Sequence, residues 1–366
     1  MQISNRQELD SIPIKNRESG LELFRIITML LIVIHHYVVN SGITSYLQLS
    51  QAPTKFFFFY CVGAFGKTGI NCFVLITGYF MCRSKITLRK FLKLFLEVMF
   101  YKITITLAFV IFQPGQWTLR SVIRNILPLT GVTDDFTGCY LIFFLLIPFL
   151  NILIKGMNGR QHGLLLLICL TFFSILPNLP SFSIRMNYVT WFMIVYLIGA
   201  YIRNYNQKLF ARKKLWLFIC ITCFVLSVSS IFIATYLKEK SISNIGVYFF
   251  VEDSNKALAV ITAVSSFITF RNLNLRYVKT INTISSATFG VLLIHANCDA
   301  MRTWLWRDVL RNTEYIQTNQ AYLHFILSIV LIYCVCTIID LLRIYLIEKP
   351  FFNWLDNKSK LKKGEK

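Results

Sequence analysis

The first apolar run of the chain reads LELFRIITMLLIVIHHYVVN, from Leu21 to Asn40. A helix rises about 1.5 Å per residue, so a run of this length can cross a hydrocarbon core about 30 Å thick. Similar runs recur along a chain of 366 residues that is 55% hydrophobic, which is too apolar for a water-facing surface. Lipid offers the backbone no hydrogen bonds, so each run has to be helical. The sequence therefore predicts an all-α, polytopic integral membrane protein.

The apolar runs predict a helical bundle of about ten transmembrane helices. The predicted spans are Leu21 to Asn40, Phe56 to Cys82, Phe91 to Phe112, Cys139 to Ile154, Gly163 to Leu176, Val189 to Ile202, Leu215 to Leu237, Val247 to Phe270, Ser285 to Ala300 and Tyr322 to Leu346. Gly63, Gly66 and Gly69 interrupt the second span and the ninth is short, so we expect both to be broken or partly re-entrant. These limits divide the chain into a cytoplasmic segment (1–20), a membrane domain (21–350) and a basic cytoplasmic tail (351–366).

The positive charge of the chain has a regular distribution. The net charge is +21, and the Lys and Arg residues lie mainly in alternate loops. With the amino terminus inside, the cytoplasmic segments hold 24 of them and the outer loops about 10. This is the positive-inside pattern, and it predicts that both termini are cytoplasmic. Because the basic groups are dispersed among short loops, we expect membrane lipid as the partner and no nucleic acid.

Cysteine and histidine usage gives no sign of a metal or redox centre. The ten cysteines lie mostly within apolar runs, where a free thiol behaves as a small hydrophobe. Cys220 and Cys223 have the spacing of a redox pair, but their place inside a span favours packing. The five histidines include no pair at helical metal-ligand spacing, so we predict no metal.

Ionisable side chains inside a span are costly and indicate function. The first span carries Glu22 and Arg25 near its predicted cytoplasmic end, and His35 and His36 deeper. At 100° per residue, His36 returns to within about 20° of the Arg25 face and lies about 16 Å further along the axis. Glu22 falls on the same stripe, whereas His35 points about 100° away from His36. One face therefore carries a cation at the membrane surface and an imidazole deep in the membrane.

This spacing resembles acyltransferase family 3, the bacterial integral-membrane O-acyltransferases. The first helix of that family carries an acidic residue, an arginine, ten residues and a histidine, here Glu22, Arg25 and His36. Four further landmarks follow in the family's order: GINCFVLITGYFM (69–81), WFMIVYLIGAYIR from Trp191, FGVLLIH ending at His295, and Glu348-Lys349-Pro350. Two features depart from the family, because Cys139-Tyr140 replaces an aromatic pair and the arginine-rich segment is reduced to Arg83, Lys85, Arg89, Lys90 and Lys93.

The resemblance implies transfer of an acyl group, often acetyl, from cytoplasmic acyl-CoA to a hydroxyl of an envelope polysaccharide or its lipid-linked precursor. It also implies a bacterial cytoplasmic membrane. The predicted donor-binding residues are Arg25, Glu22, Arg83, Arg89 and Lys93, which would hold the phosphates of acetyl-CoA. His36 is the candidate general base or, alternatively, the site of a transient acyl-histidine. His35 and His295 are further catalytic candidates, and Asn71, Thr77, Tyr79, Trp191 and Asp299 are candidates for contacts with the oxyanion or the sugar.

Simpler interpretations remain open for the same residues. Arg25 could be a snorkelling anchor, His36 a packed histidine, and Asn71, Thr77 and Tyr79 interhelical hydrogen-bonding groups. A secondary transporter or flippase is the alternative function, although no internal repeat supports it. A non-catalytic scaffold is disfavoured, because a scaffold does not need a buried stripe of Glu, Arg and His.

Overall fold

The computed structural model describes residues 19–113, 115, 117–128, 135–179, 182 and 187–364, and every regular element within them is helical. The first half comprises α1 (Ser19–Val39), α2 (Ile43–Tyr46), α3 (Pro53–Gly63), α4 (Gly66–Met81), α5 (Leu88–Phe112), α6 (Leu119–Ile126), α7 (Phe136–Gly156), α8 (Gly159–Leu170) and α9 (Tyr188–Asn204). The second half comprises α10 (Gln207–Phe210), α11 (Lys213–Glu239), α12 (Ala257–Arg271), α13 (Lys279–Ser286), α14 (Thr288–His295), α15 (Asp299–Thr303), α16 (Asn312–Tyr315), α17 (Ala321–Arg343) and α18 (Lys349–Gly364).

Short π-helical segments extend three of these helices. They are Thr171–Ile175 after α8, Trp304–Val309 after α15 and Ile344–Glu348 between α17 and α18. A single 3₁₀ turn, Leu176–Asn178, completes the first of them. The last predicted span therefore does not end at Leu346, because the helix continues through the π-helical segment and α18.

Among the described residues, seven helical segments are long and apolar enough to cross a membrane. They are α1, α3 with α4, α5, α7, α8 with its extension, α11, and α17 with its continuation. The remaining three predicted spans correspond to the shorter helices α9, α12 and α14. The prediction of an all-α, polytopic membrane bundle is confirmed, and the cytoplasmic placement of the termini stays a prediction.

The two spans expected to be irregular are both broken. The second divides into α3 and α4 at Ala64 and Phe65, and the ninth divides into α13 and α14 at Ala287. The eighth span is shorter than predicted, because Val247 to Lys256 forms turns and α12 begins only at Ala257. This stretch contains Asp253, Ser254 and Asn255, which are residue types that favour turns over helix.

The α1 helix lies in the middle of the bundle. It packs against α3, α4, α12, α13, α14 and α17, so most of its faces meet protein. The α9 helix is also enclosed, and Trp191 and Phe192 on it are almost fully buried. Because α1 is surrounded in this way, its polar side chains face other helices and not lipid. The fold thus supplies α1 with partners for the charges that its sequence carries.

Candidate active site

The end of α1 borders a cavity of about 400 Å³, a size typical of small-molecule sites. The walls come from the last turns of α1 and α14, from the first turns of α4, α7 and α9, and from single residues of α5, α6 and α15. His35 and His36 both line it, although they project about 100° apart on the helix. The cavity lies at the opposite end of α1 from Glu22 and Arg25. Two of the three predicted catalytic histidines therefore share one cavity wall.

The third predicted histidine, His295, lies directly against His36. Its Nε2 atom is 2.9 Å from Nδ1 of His36, and its Nδ1 atom is 2.6 Å from the carbonyl oxygen of Val291. A carbonyl oxygen can only accept, so His295 Nδ1 carries the hydrogen and its Nε2, in the neutral ring, is an acceptor. His36 must then donate from Nδ1. Nε2 of a neutral His36 is therefore left with a free lone pair.

His35 is fixed by the break between α3 and α4. Its Nδ1 atom donates to the carbonyl oxygen of Gly63 at 2.6 Å. Gly66 lies against the same ring, and a Cβ there would be 2.1 Å from Cγ of His35. The glycine interruption of the second span thus makes room for the imidazole. This contact explains why the break and the histidine pair occur at the same level of the bundle.

The cavity is rich in positive charge. Its ionisable lining residues besides the histidines are Lys67, Lys102, Arg124, Arg302 and Asp135. Lys67 donates to the Tyr188 hydroxyl at 2.7 Å, and Arg302 pairs with Asp299. Sequence reasoning missed Lys67 and Lys102 as site residues. Both lysines lie within predicted spans, where a charged side chain is costly. The criterion that selected Glu22, Arg25 and the histidines in the first span would therefore have selected them too.

Glu22 and Arg25 form a separate polar site near the start of α1. Arg25 donates to Glu22 at 3.1 Å, and the Ser285 hydroxyl donates to the same carboxylate oxygen at 2.6 Å. The Glu22 side chain is 7% exposed and that of Arg25 is 25% exposed. The predicted stripe is therefore present, with an ion pair at one end and the histidine-lined cavity at the other.

The predicted oxyanion and sugar contacts lie away from the cavity lining. Asn71 accepts from the Trp191 indole at 2.8 Å and donates to the Ser254 carbonyl at 2.6 Å. Thr77 is 2.9 Å from the Tyr140 hydroxyl. Tyr79 accepts from Arg203 at 2.7 Å. These groups make the interhelical hydrogen bonds that the simpler interpretation expects.

The basic residues after the second span also have protein partners. Arg83 donates to Asn204 at 3.0 Å, Arg89 to Asp356 at 2.5 Å and Lys93 to Glu348 at 2.6 Å. Arg89 and Lys93 are each more than half exposed, so their ammonium and guanidinium groups remain accessible to a ligand at the surface. Asp299, the last predicted contact residue, has a 95% exposed side chain and lies outside the cavity lining.

A second charged cluster is buried between α5 and α17. Arg343 contacts Glu97 at 2.9 Å, Asp340 at 2.7 Å and Glu348 at 2.8 Å. The Tyr101 hydroxyl donates to Asp340 at 2.7 Å. The Asp340 carboxylate also lies against Gly290 of α14, where a Cβ would be 2.0 Å from its Cγ. This cluster holds α17 against α5 and α14.

The cysteines of the described residues have the structural role that their place in apolar runs predicts. The ten cysteines all lie in the described residues and form no disulfide bond there, and Cys220 and Cys223 are buried on α11. Cys220 lies 3.3 Å from the Ser266 hydroxyl of α12, which fits a packing role. Within the described part of the chain, no group of three or more His, Cys, Asp or Glu residues could hold a metal ion.

The fold and the site define a multi-pass membrane protein with paired imidazoles in an intramembrane cavity. Residues 18–341 match the profile of acyltransferase family 3, which is described as an acyltransferase domain. The chain belongs to this family and is a membrane acyltransferase. No curated protein and no solved structure matches the chain.

Proposed function

We propose that this chain transfers an acetyl group from cytoplasmic acetyl-CoA to a hydroxyl of a cell-envelope polysaccharide or its lipid-linked precursor. His36 is the general base, and the protein works in the bacterial cytoplasmic membrane. The observation that carries the proposal is the hydrogen-bonded series from the Val291 carbonyl through His295 to His36. It leaves one unprotonated imidazole nitrogen on a residue that lines the cavity.

The chemistry follows from that nitrogen. The acceptor hydroxyl attacks the thioester carbonyl carbon while Nε2 of His36 takes its proton. Collapse of the tetrahedral intermediate breaks the carbon–sulfur bond, and the protonated His36 returns the proton to the departing CoA sulfur. When His36 is protonated, its Nδ1–H bond to His295 becomes charge-assisted and therefore stronger. Lys67 and Arg302 supply positive charge beside the developing oxyanion.

The donor fits the length of α1. A CoA thioester carries its phosphates at one end of a long uncharged arm and the acyl group at the other. Arg25 and the basic residues Arg83, Arg89 and Lys93 lie near the end of the bundle opposite to the cavity. In the proposed complex they hold the phosphates, and the arm reaches along the stripe to His36, about 16 Å away along the helix axis.

The test is transfer of label from radiolabelled acetyl-CoA to extracted envelope glycan by membranes that contain this chain. His36→Gln at matched abundance is expected to lower transfer about 100-fold or more, the usual contribution of a positioned base. His324→Gln is the matched control, because His324 lies outside the cavity lining and contacts Tyr37 and Tyr315. The control is expected to retain transfer.

Each outcome has a definite meaning. Label that persists in His36→Gln would remove His36 as the base. Label that appears on the protein before glycan is added, is released by hydroxylamine and is absent from His36→Gln would indicate an acyl-histidine in place of direct transfer. Absence of label with acetyl, succinyl and longer donors would favour the transporter alternative, which solute uptake into liposomes without acyl-CoA would then support.

A further inference from the structure

A layer of aromatic rings lies between the Glu22–Arg25 ion pair and the histidine-lined cavity. Phe289 of α14 comes one turn after Ser285, whose hydroxyl donates to Glu22. It comes about one turn before Leu292, which lines the cavity. At 1.5 Å per residue, Phe289 therefore lies about midway along the roughly 16 Å that separate the two sites.

The Phe289 ring points into the bundle, where it meets rings from two other helices. Its centroid is 6.2 Å from that of Phe73 on α4 and 5.8 Å from that of Tyr140 on α7. Tyr140 also stacks at 5.7 Å on Phe136, which lines the cavity. Phe73, Tyr140 and Phe289, here called the aromatic layer, thus lie next to the cavity on the side of the ion pair.

Phe289 is the member of the aromatic layer that can move most easily. Phe73 and Tyr140 are 9% and 7% exposed, and Tyr140 is held by a hydrogen bond to Thr77. Phe289 is only partly buried, so open space adjoins its ring. Rotation of this side chain to another rotamer is therefore the least costly way to open the layer, because closely packed rings cannot turn without displacing their neighbours.

The neighbouring path, along the contact between α1 and α4, is closed. A Cβ at Gly69 of α4 would be 2.8 Å from Cγ1 of Ile32 and 3.3 Å from the Thr28 carbonyl oxygen of α1. The two helices therefore touch through the glycine and leave no room for a ligand between them. A path that follows α1 towards His36 on the side facing α7 and α14 runs past Phe289.

We propose that Phe289, backed by Phe73 and Tyr140, is a gate that the acyl end of the donor must pass to reach His36, and that this gate limits the width of the acyl groups that the protein transfers. The inference rests on the proposed function and specifies its donor. Phe289 is thus a residue that determines donor specificity.

The chemistry of the donor explains how such a gate selects. The part of the CoA arm next to the sulfur is an unbranched chain, so the gate has to open no wider than one extended chain for the arm to enter. An acetyl group is no wider than that chain, whereas a benzoyl group is. The cavity beyond the gate measures about 400 Å³ and has room for either group, so the discrimination falls on the gate.

The test compares two acyl groups on the same carrier. Membranes that contain the chain receive acetyl-CoA or benzoyl-CoA with the label in the acyl group, and kcat/KM for transfer to glycan is measured for each. We expect the wild type to prefer acetyl by about 100-fold, the range in which steric fit discriminates. Phe289→Ala should retain acetyl transfer and lower the preference about tenfold or more, because benzoyl transfer rises.

Two further variants make the result interpretable. Phe289→Leu keeps most of the side-chain volume without the ring, so it should fold like the wild type and lower the preference by a smaller factor. Phe149→Ala is the matched control, because Phe149 lies on α7 with 67% of its surface exposed. The control should keep the wild-type preference.

Three results would overturn the gate. One is a wild type that transfers benzoyl as well as acetyl. A second is an unchanged preference in both Phe289→Ala and Phe289→Leu. The third is an equal loss of preference in Phe149→Ala. Failure of the proposed function looks different, because wild-type membranes would then transfer neither acyl group.

Discussion

Two groups of buried charge in this protein differ in how completely they are paired. Around Arg343, every carboxylate has a cation within 3 Å and the cluster is almost closed to solvent. Around His36, the lysine closest to the middle of a helix has its nearest carboxylate at 3.8 Å, and the groups face a cavity. Lys102 and Arg343 both lie on long apolar helices, where the cost of a charge is similar.

The difference separates two uses of buried charge. In the Arg343 cluster the cost of desolvation is offset within the protein, so the cluster specifies how α17 meets α5. In the cavity the carboxylate closest to Lys102 is beyond hydrogen-bond distance and the charged groups line open space, so they are accessible to a ligand. Substitutions in the first group should therefore change stability, and substitutions in the second should change binding and turnover.

Removal of Arg343 is the largest expected effect on stability. Arg343→Leu leaves Glu97, Asp340 and Glu348 close together without their shared cation, which costs about 3–5 kcal/mol for a buried pair that loses one partner. We expect a large fall in the melting temperature of the detergent-solubilised protein and little folded material in membranes. Arg302→Leu, on the cavity side, is the matched control and should keep the melting temperature near that of the wild type, because Arg302 is partly exposed. Equal losses in the two variants would contradict the distinction between the two groups.

Substitution of His295 is expected to have the next largest effect, a decrease in the rate of acetyl transfer. His295→Leu removes the acceptor for His36 Nδ1 and leaves a buried donor unsatisfied, which costs about 1–3 kcal/mol and corresponds to roughly 10-fold to 100-fold in rate. We expect kcat in the acetyl-transfer assay to fall by that factor with KM for acetyl-CoA unchanged.

His295→Gln is the conservative comparison for that experiment. Its amide oxygen can accept from His36, so it should recover part of the lost turnover. A packing role for His295 would instead lower the melting temperature in both variants and give no recovery with Gln.

The features of the fold that depend on neighbouring residues could be predicted from the sequence. The apolar runs, the glycine interruption before α4 and the short ninth span are properties of neighbouring residues, and the structure confirms them. The stripe of Glu22, Arg25 and His36 follows from helical periodicity, and the functional roles of these residues stay a prediction. The start of α12 was misplaced because apolar residues around Val247 and Val251 outweighed the turn-forming residues that follow them.

The contacts between segments that are far apart in the chain could not be predicted from the sequence. His36 and His295 are 259 residues apart, and only the packing of α14 against α1 brings their rings to hydrogen-bond distance. Lys67 and Lys102 are each recognisable as ionisable residues in a span, but their convergence on one cavity depends on how α4 packs against α1 and how α5 packs against α14. The ion pairs of Arg89 and Lys93 likewise depend on α18 and on the π-helical segment before it, which follow them by more than 250 residues.

Substitution of Lys93 has the smallest expected effect and tests where the Arg343 cluster ends. Its side chain is 57% exposed and contacts Glu348 at the edge of the Arg343 cluster, and it is also a predicted phosphate contact. An exposed ion pair contributes about 0–1 kcal/mol, so Lys93→Gln should barely move the melting temperature. Because the ammonium is shared with Glu348, we expect KM for acetyl-CoA to rise only about twofold to threefold with kcat unchanged. A much larger rise in KM would indicate that Lys93 binds the donor phosphates directly. A large fall in the melting temperature would indicate that the Arg343 cluster includes Lys93.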